Sequence, residues 1–259
     1  MEIKILGCGT SMGVPVVTCE CEVCTSNLPE NRRLRASIWI QINGKSYLID
    51  TSTDFRQQAL REKINHIDAI LYTHPHTDHI GGIDEIRAYN FKQKSKIPIY
   101  GHDWTLNDLK IRYSYIFSPQ VNHQGGILPS LEPHLITKDQ SSIKIDGLPI
   151  IPLWLRHGNE DCLGYRIKSV AYATDCNYIP SETLDQMRGL EFLILDCLRI
   201  KPHRTHLNLE QALEIIEEIK PKKAILTHLS HDFDYAVWNK KLPKNVVLAY
   251  DGIKLTTKE

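Results

Sequence analysis

Three histidines and an aspartate fall within the six residues His74–His79. The apolar run at 67–72 before them predicts a buried strand, and side chains two apart on an extended chain point to the same side. His74 and His76 can therefore bind one ion, while Asp78 and His79, where the chain turns into a helix, can face a second. Imidazole and carboxylate together are typical ligands of Zn²⁺, Mn²⁺ or Fe²⁺. The segment thus predicts a site for two divalent metal ions.

A second group of metal-binding side chains is cysteine-rich. Three of the seven cysteines are Cys19, Cys21 and Cys24, and we expect no export signal before them. Clustered cysteines in such a chain are more typical of a metal site than of disulfides. Three thiolates supply most of a tetrahedral zinc site. We predict a structural zinc loop near 19–24 with His231 as its fourth ligand, and Cys8 as the alternative.

Length and charge limit the class of protein. The 259 residues include 31 Lys plus Arg and 31 Asp plus Glu, so the formal net charge is zero. Proteins that grip duplex nucleic acid present a basic face, so we do not expect nucleic acid as a partner. No apolar run approaches the roughly 20 residues of a membrane helix. We expect a cytoplasmic protein without membrane contact, formed by one domain over residues 1–259.

The elements that must position these residues occur in two similar blocks of strands followed by helices. This order predicts an α+β protein with two stacked sheets covered by helices, and Asn43-Gly44 is a strong hairpin signal. The segment 118–135, rich in Pro, Gly, His and Asn, predicts a loop insertion whose His123 could reach the metal site. Strands are predicted at 2–6, 36–43, 46–50, 67–72, 97–101, 143–146, 149–155, 163–168, 170–174, 192–196, 223–227 and 246–250, and helices at 54–63, 83–92, 104–117 and 209–219.

Further metal-binding side chains come at the ends of later predicted strands, where a sheet holds them rigidly. These are His157, Asp175, Asp196 and His228. Together with the histidine segment, their order resembles the metallo-β-lactamase superfamily, whose pattern is matched here by Asp50, His74-x-His76-x-Asp78-His79, His157, Asp175 and His228.

That resemblance implies an αββα sandwich with the metals at the edge between the two sheets. One ion would be held by His74, His76 and His157, and the other by Asp78, His79 and His228. Asp175 would bridge them, with Asp196 as its rival. Asp50 would orient a ligand loop through hydrogen bonds. The ions would be Zn²⁺ or Mn²⁺, with Fe²⁺ as a third option.

The cysteine motif narrows the resemblance. Cys19-x-Cys21-x2-Cys24, with His231 and the opening loop Gly7–Pro15, is similar to the PhnP-like branch of phosphoribosyl 1,2-cyclic phosphate phosphodiesterases. The branch implies a structural zinc on those four ligands, and its members suggest a homodimer. His206 matches a position used near the scissile phosphate, where an imidazole can donate a proton to the leaving group. His203 competes for that role.

The function implied is hydrolysis of a small phosphodiester, such as a cyclic or a nucleotide- or sugar-derived phosphate, by a hydroxide that bridges the two ions. Asp78 and His206 would be the catalytic side chains. The alternatives are a lactone, carboxylic ester or thioester hydrolase, then an RNA 3′-end processing nuclease, for which the chain lacks an inserted basic arm. A metal-binding scaffold without turnover is the alternative outside the enzymes.

Overall fold

The first of two β-sheets contains the first six strands and the last one. The structure, a computed structural model, describes residues 1–118 and 128–257. Within that part of the chain the seven strands lie in the order β14-β1-β2-β3-β4-β5-β6. They are β1 (Glu2–Gly7), β2 (Ser37–Ile42), β3 (Lys45–Ile49), β4 (Ala69–Leu71), β5 (Ile97–Gly101), β6 (Leu131–Leu135) and β14 (Lys254–Thr256).

The second sheet also has seven strands, in the order β13-β12-β11-β10-β9-β8-β7. Its strands from β10 to β13 run parallel, and those from β7 to β10 run antiparallel. The strands are β7 (Ile143–Ile145), β8 (Leu148–His157), β9 (Glu160–Ile167), β10 (Val170–Ala173), β11 (Phe192–Asp196), β12 (Lys223–Thr227) and β13 (Val246–Leu248).

The helices are short, and none in the described part of the chain is long and apolar enough to cross a membrane. The longest begins with a capping box, in which Asn208 and Gln211 exchange side-chain-to-backbone hydrogen bonds. The helices are α1 (Glu22–Thr25), α2 (Phe55–Glu62), α3 (Thr77–Ile80), α4 (Ile86–Gln93), α5 (Asp103–Arg112), α6 (Ser114–Phe117), α7 (Ser181–Gln186), α8 (Leu209–Ile219) and α9 (Tyr235–Trp238), with 3₁₀ turns at Pro29–Asn31 and Ile83–Glu85.

The apolar core has three layers. The middle layer joins the facing sides of the two sheets through residues such as Ile38 and Tyr165. One outer layer packs helices such as α2 and α4 on the first sheet, and the other packs α7 and α8 on the second. Because each sheet is covered on both faces, its central strands are largely apolar. The predicted αββα sandwich is confirmed.

Some predictions for single helices, strands and turns are confirmed, and others are wrong. The hairpin at Asn43-Gly44 is present, with both residues at positive φ, as a type I′ turn requires. The predicted helix 104–117 is interrupted at Tyr113. The prediction of a loop through 135 is wrong for Leu131–Leu135, which pairs with β5; as an edge strand it tolerates its proline. Residues 119–127, including His123, lie outside the described residues.

Candidate metal centre

The ends of several strands deliver the predicted metal-binding side chains to one edge of the sandwich. Asp50 follows β3, His157 ends β8, Asp175 follows β10 and His228 follows β12. Asp50, Asp175 and His228 have φ of 64°, 52° and 58°, a left-handed conformation that is uncommon outside glycine. Such backbone strain, about 1–3 kcal/mol per residue, concentrates at functional sites. These strand ends are therefore shaped for the site rather than for local stability.

The first ligand cluster consists of His74, His76 and His157, whose ligating atoms lie within 4.8 Å of one another. His74 Nε2 lies 3.0 Å from His76 Nδ1, and the ring of His157 lies 5.0 Å from both other rings. Burial lowers the pKa of all three imidazoles. The neutral ring is the form that ligates metals. The cluster can therefore hold a cation without first losing protons.

The second cluster consists of Asp78, His79, Asp175 and His228. His79 Nε2 lies 3.3 Å from Asp78 Oδ2 and 3.2 Å from Asp175 Oδ1, and His228 Nε2 lies 3.3 Å from Asp175 Oδ2. Asp175 Oδ2 is also 3.6 Å from His74 Nε2 of the first cluster. The carboxylate of Asp175 thus lies between the two clusters, where a bridging ligand would stand.

The donor atoms of the second cluster fit a metal ion. His79 Nε2 and both ring nitrogens of His228 are buried and have no hydrogen-bond partner among the residues that the structure describes. Buried polar atoms without partners are rare and require an explanation. Burial tends to lower the pKa of His79, but the carboxylates of Asp175, Asp78 and Asp50 outweigh it and raise the pKa. This concentration of negative charge around nitrogens that lack a hydrogen-bond partner suits a divalent cation.

Asp50 lies behind the second cluster and is fully buried. It accepts hydrogen bonds from the backbone N–H of Thr73 at 2.8 Å and from the Thr73 hydroxyl at 2.8 Å. Its Oδ2 also lies 2.7 Å from His79 Nδ1. A proton on Nδ1 leaves Nε2 of His79 free to face the cluster, which is how a carboxylate orients a ligating histidine. The structure brings Asp50 to the place that the sequence resemblance implied.

Asp196, the rival for the bridging position, instead lies behind His206 and His228. Its carboxylate accepts hydrogen bonds from the backbone N–H groups of Asp175 at 3.1 Å and Leu207 at 2.9 Å. Asp196 Oδ1 lies 3.3 Å from His206 Nδ1 and 3.7 Å from His228 Nδ1. Sequence reasoning missed this supporting position. The sequence indicated only that an aspartate ends the strand between β10 and β12. It did not indicate which groups that carboxylate contacts.

His206 is brought to the metal-binding residues, whereas His203 stays further out. The His206 ring is stacked on His228 at 4.8 Å and lies 4.9 Å from the ring of His157. His206 is buried, and His203 is only half-buried. Burial tends to lower the pKa of His206, but the carboxylate of Asp196 outweighs it and raises the pKa to about 9. His206 therefore favours the protonated form, which can donate a hydrogen bond.

A third cluster lies apart from the first two and contains the three thiols of the cysteine motif. The Sγ atoms of Cys19, Cys21 and Cys24 lie 3.3, 3.6 and 3.4 Å from His231 Nδ1. The backbone N–H of Cys24 lowers the pKa of Cys21, which favours its thiolate. Cys8 is elsewhere, with its Sγ 3.4 Å from Asp251 Oδ1. The structure thus brings His231, and not Cys8, to the thiols.

Comparison with known proteins identifies relatives over most of the chain. A family model described as a β-lactamase superfamily domain matches residues 45–229. The sequence is 42% identical to that of a protein whose crystal structure is described as a new diphosphatase from the PhnP family. That similarity covers 99% of this chain and 98% of the other, with a TM-score of 0.91.

Two other relatives are more distant or of different length. An octanoyltransferase from Porphyromonas gingivalis (strain ATCC BAA-308 / W83) is 34% identical over 257 residues, which are 98% of this chain and 51% of that protein. The chain thus spans about half the length of this relative. Zinc-bound PqqB from Methylobacterium extorquens has a TM-score of 0.80 over 99% of this chain and all of the other, at 16% identity, which is a similarity of fold alone.

Proposed function

Because the chain belongs to the β-lactamase superfamily and to its PhnP family, we propose that it is a metal-dependent phosphodiesterase. The observation that carries the proposal is the carboxylate of Asp175, which lies between two clusters of buried ligating side chains. The substrate is a small phosphodiester, either cyclic or derived from a nucleotide or sugar.

In this proposal the centre would take two divalent ions, Zn²⁺ or Mn²⁺ or, as a third option, Fe²⁺. His74, His76 and His157 would hold one ion, Asp78, His79 and His228 would hold the other, and Asp175 would be shared between them. Such ions lower the pKa of water from 15.7 toward about 7 and offset charge on phosphoryl oxygens. A separate structural zinc is held by Cys19, Cys21, Cys24 and His231, a ligand set of the Cys₃His type.

The protein's own side chains position the reacting groups and move protons. Asp78, whose carboxylate lies 3.3 Å from His79 Nε2, orients the attacking water, whose proton passes to solvent. His206 donates a proton to the departing alkoxide. Asp196 contacts His206 Nδ1 and so directs Nε2 toward the substrate, in the way that the third member of a catalytic triad orients its histidine. Asp196 is thus a positioning residue, and Asp78 and His206 are the catalytic pair.

A second candidate function is hydrolysis of a carboxylic ester or thioester. It is favoured by the relative named for octanoyl transfer, although the chain matches only about half of that protein. The phosphodiesterase proposal is better supported because the relative at 42% identity is described as a diphosphatase, an enzyme that hydrolyses phosphorus–oxygen bonds, and is matched over almost its whole length. Processing of RNA ranks lower, since the net charge of the chain is zero.

The proposal is tested with protein that contains its full complement of metals. We expect turnover of bis-p-nitrophenyl phosphate, and little or none of a panel of lactones, thioesters and precursor tRNA. Asp78→Asn should abolish most of the activity, and Phe91→Ala, on the exposed side of α4, should leave it unchanged. Metal content, measured by elemental analysis, accompanies each assay. Failure to hydrolyse any ester with both ions bound would refute an enzymatic function.

A further inference from the structure

Two cavities lie on either side of the segment Thr205–His206, which contacts the metal centre through His206. One, of about 270 Å³, is lined by His206 together with His203 and residues of the loop around Thr10. The other, of about 430 Å³, is here called the Trp104 cavity and is lined by His76, Trp104, His157, Asn159, Glu160 and Arg204, among others. Thr205 and His206 are adjacent in sequence but line different cavities, so this segment separates them. Each cavity therefore suits one of the two substituents of a phosphodiester.

Trp104 forms a wall of its cavity directly beside the first ligand cluster. Its ring centroid lies 5.9 Å from that of His76, at an interplanar angle of 86°. The ring of His102 supports it from 6.2 Å, and His102 Nε2 in turn lies 2.8 Å from the carbonyl oxygen of Asp161. The indole is thus held in place while remaining half-exposed to the cavity. A fixed, accessible aromatic face next to a reaction centre is suited to stacking a planar ligand.

The remaining walls of the Trp104 cavity indicate a neutral, polar-edged ligand. Arg204 and Glu160 are exposed there with opposite charges, and neither forms an ion pair within the described parts of the chain. Asn159 is exposed as well and offers an amide that can both donate and accept hydrogen bonds. A second phosphate that bound Arg204 would also meet the carboxylate of Glu160. A flat heteroaromatic ring with donors and acceptors on its edge matches all four side chains.

We propose that the Trp104 cavity binds the nucleobase of a nucleotide-derived phosphodiester, with the base stacked on Trp104. This inference rests on the proposed phosphodiesterase function and names the substituent that stays on the phosphate. His206 donates its proton on the side of the other cavity, so the leaving group departs there. The nucleoside is the retained part of the substrate. The volume of the Trp104 cavity, about 430 Å³, falls within the 300–1,000 Å³ range of small-molecule sites.

Two substrates with the same leaving group test the inference. The p-nitrophenyl ester of thymidine 5′-monophosphate carries a base on its retained side, and methyl p-nitrophenyl phosphate does not. The measured quantity is the ratio of kcat/KM for the thymidine ester to that for the methyl ester. Trp104→Ala should lower this ratio by about 5- to 150-fold, the range of base–aromatic stacking. Trp104→Phe should retain most of the ratio, and the control Phe91→Ala should match the parent protein.

The outcomes separate this inference from the function on which it rests. If Trp104→Ala hydrolyses both esters with the ratio of the parent, the nucleobase site is wrong although the phosphodiesterase function stands. If the metal-replete parent hydrolyses neither ester, the proposed function itself fails. Should Trp104→Ala not bind its metals, Trp104→Leu keeps apolar volume without a ring and must show the same fall in ratio.

Discussion

Replacing His206 by alanine should slow hydrolysis in a way that depends on the leaving group. The structure holds His206 against His157 and His228 with its Nδ1 3.3 Å from Asp196. A positioned proton donor contributes about 10²–10⁴-fold to a rate. An alkoxide needs that proton to depart, whereas p-nitrophenolate leaves readily without it. We therefore expect kcat for an alkyl ester to fall by about 10²–10⁴-fold and kcat for the matching p-nitrophenyl ester to change far less.

Asp196→Asn provides an independent arm of the same experiment. The side chain is fully buried and accepts hydrogen bonds from two backbone N–H groups. An asparagine oxygen can accept from one of them, so one buried donor loses its partner at a cost of about 1–3 kcal/mol of unfolding free energy. Because a neutral amide also orients the His206 ring less strongly than the carboxylate does, the variant should show the same dependence on leaving group as His206→Ala, with a smaller loss.

The assay compares kcat for alkyl and aryl esters of one phosphate in metal-replete proteins. His203→Ala is the matched control, because its ring lies 5.2 Å from that of His206 but is more exposed. In this control, kcat for the alkyl ester should not fall more than kcat for the aryl ester, relative to the parent protein. An equal loss on both esters in His206→Ala would refute proton donation by His206. A loss of kcat confined to the alkyl ester in His203→Ala would assign proton donation to His203.

Three further predictions concern metal binding and stability. Cys21→Ser should remove one zinc per chain and lower the melting temperature, whereas Cys176→Ser, a buried cysteine outside the cluster, should lower stability with unchanged zinc content by elemental analysis. Asp50→Asn should weaken metal binding at the candidate metal centre by about 10- to 100-fold in a chelator competition, and unchanged affinity would contradict its orienting role. Asn208→Ala removes the cap of α8 and should lower the unfolding free energy by about 1 kcal/mol in urea titrations; a loss within error would show that the cap is dispensable.

Much of the centre was predictable because its residues follow apolar strand patterns. The segment His74–His79 and the strand ends at His157 and His228 carry a clear local signal in residue type and spacing. The supporting place of Asp196 depends instead on the parallel pairing of β11 with β10 and β12, which sets it behind two histidines from other segments. A single sequence does not contain that register.

The remaining differences have similar causes. The segment of β6 is predicted as loop because residues 118–135 are rich in Pro, Gly, His and Asn, and only the pairing with β5 makes it extended. β14 is short and was not predicted, since it pairs along only three residues with β1. The approach of Trp104 to His76 follows from the packing of α5 beside the first cluster, a tertiary contact without a local sequence signal.

The pairing of β14 with β1 has a consequence for synthesis of the protein. Ile3 pairs with Leu255, and His231 lies 212 residues from Cys19 in the thiol cluster. On the ribosome, neither contact can form until almost the whole of the described chain has emerged. Until then the nascent first sheet has a free edge at β1, of the kind that recruits other chains. Contacts of such separation also slow folding. Assembly of the thiol cluster and pairing of β14 with β1 are therefore late steps in the folding of the described residues.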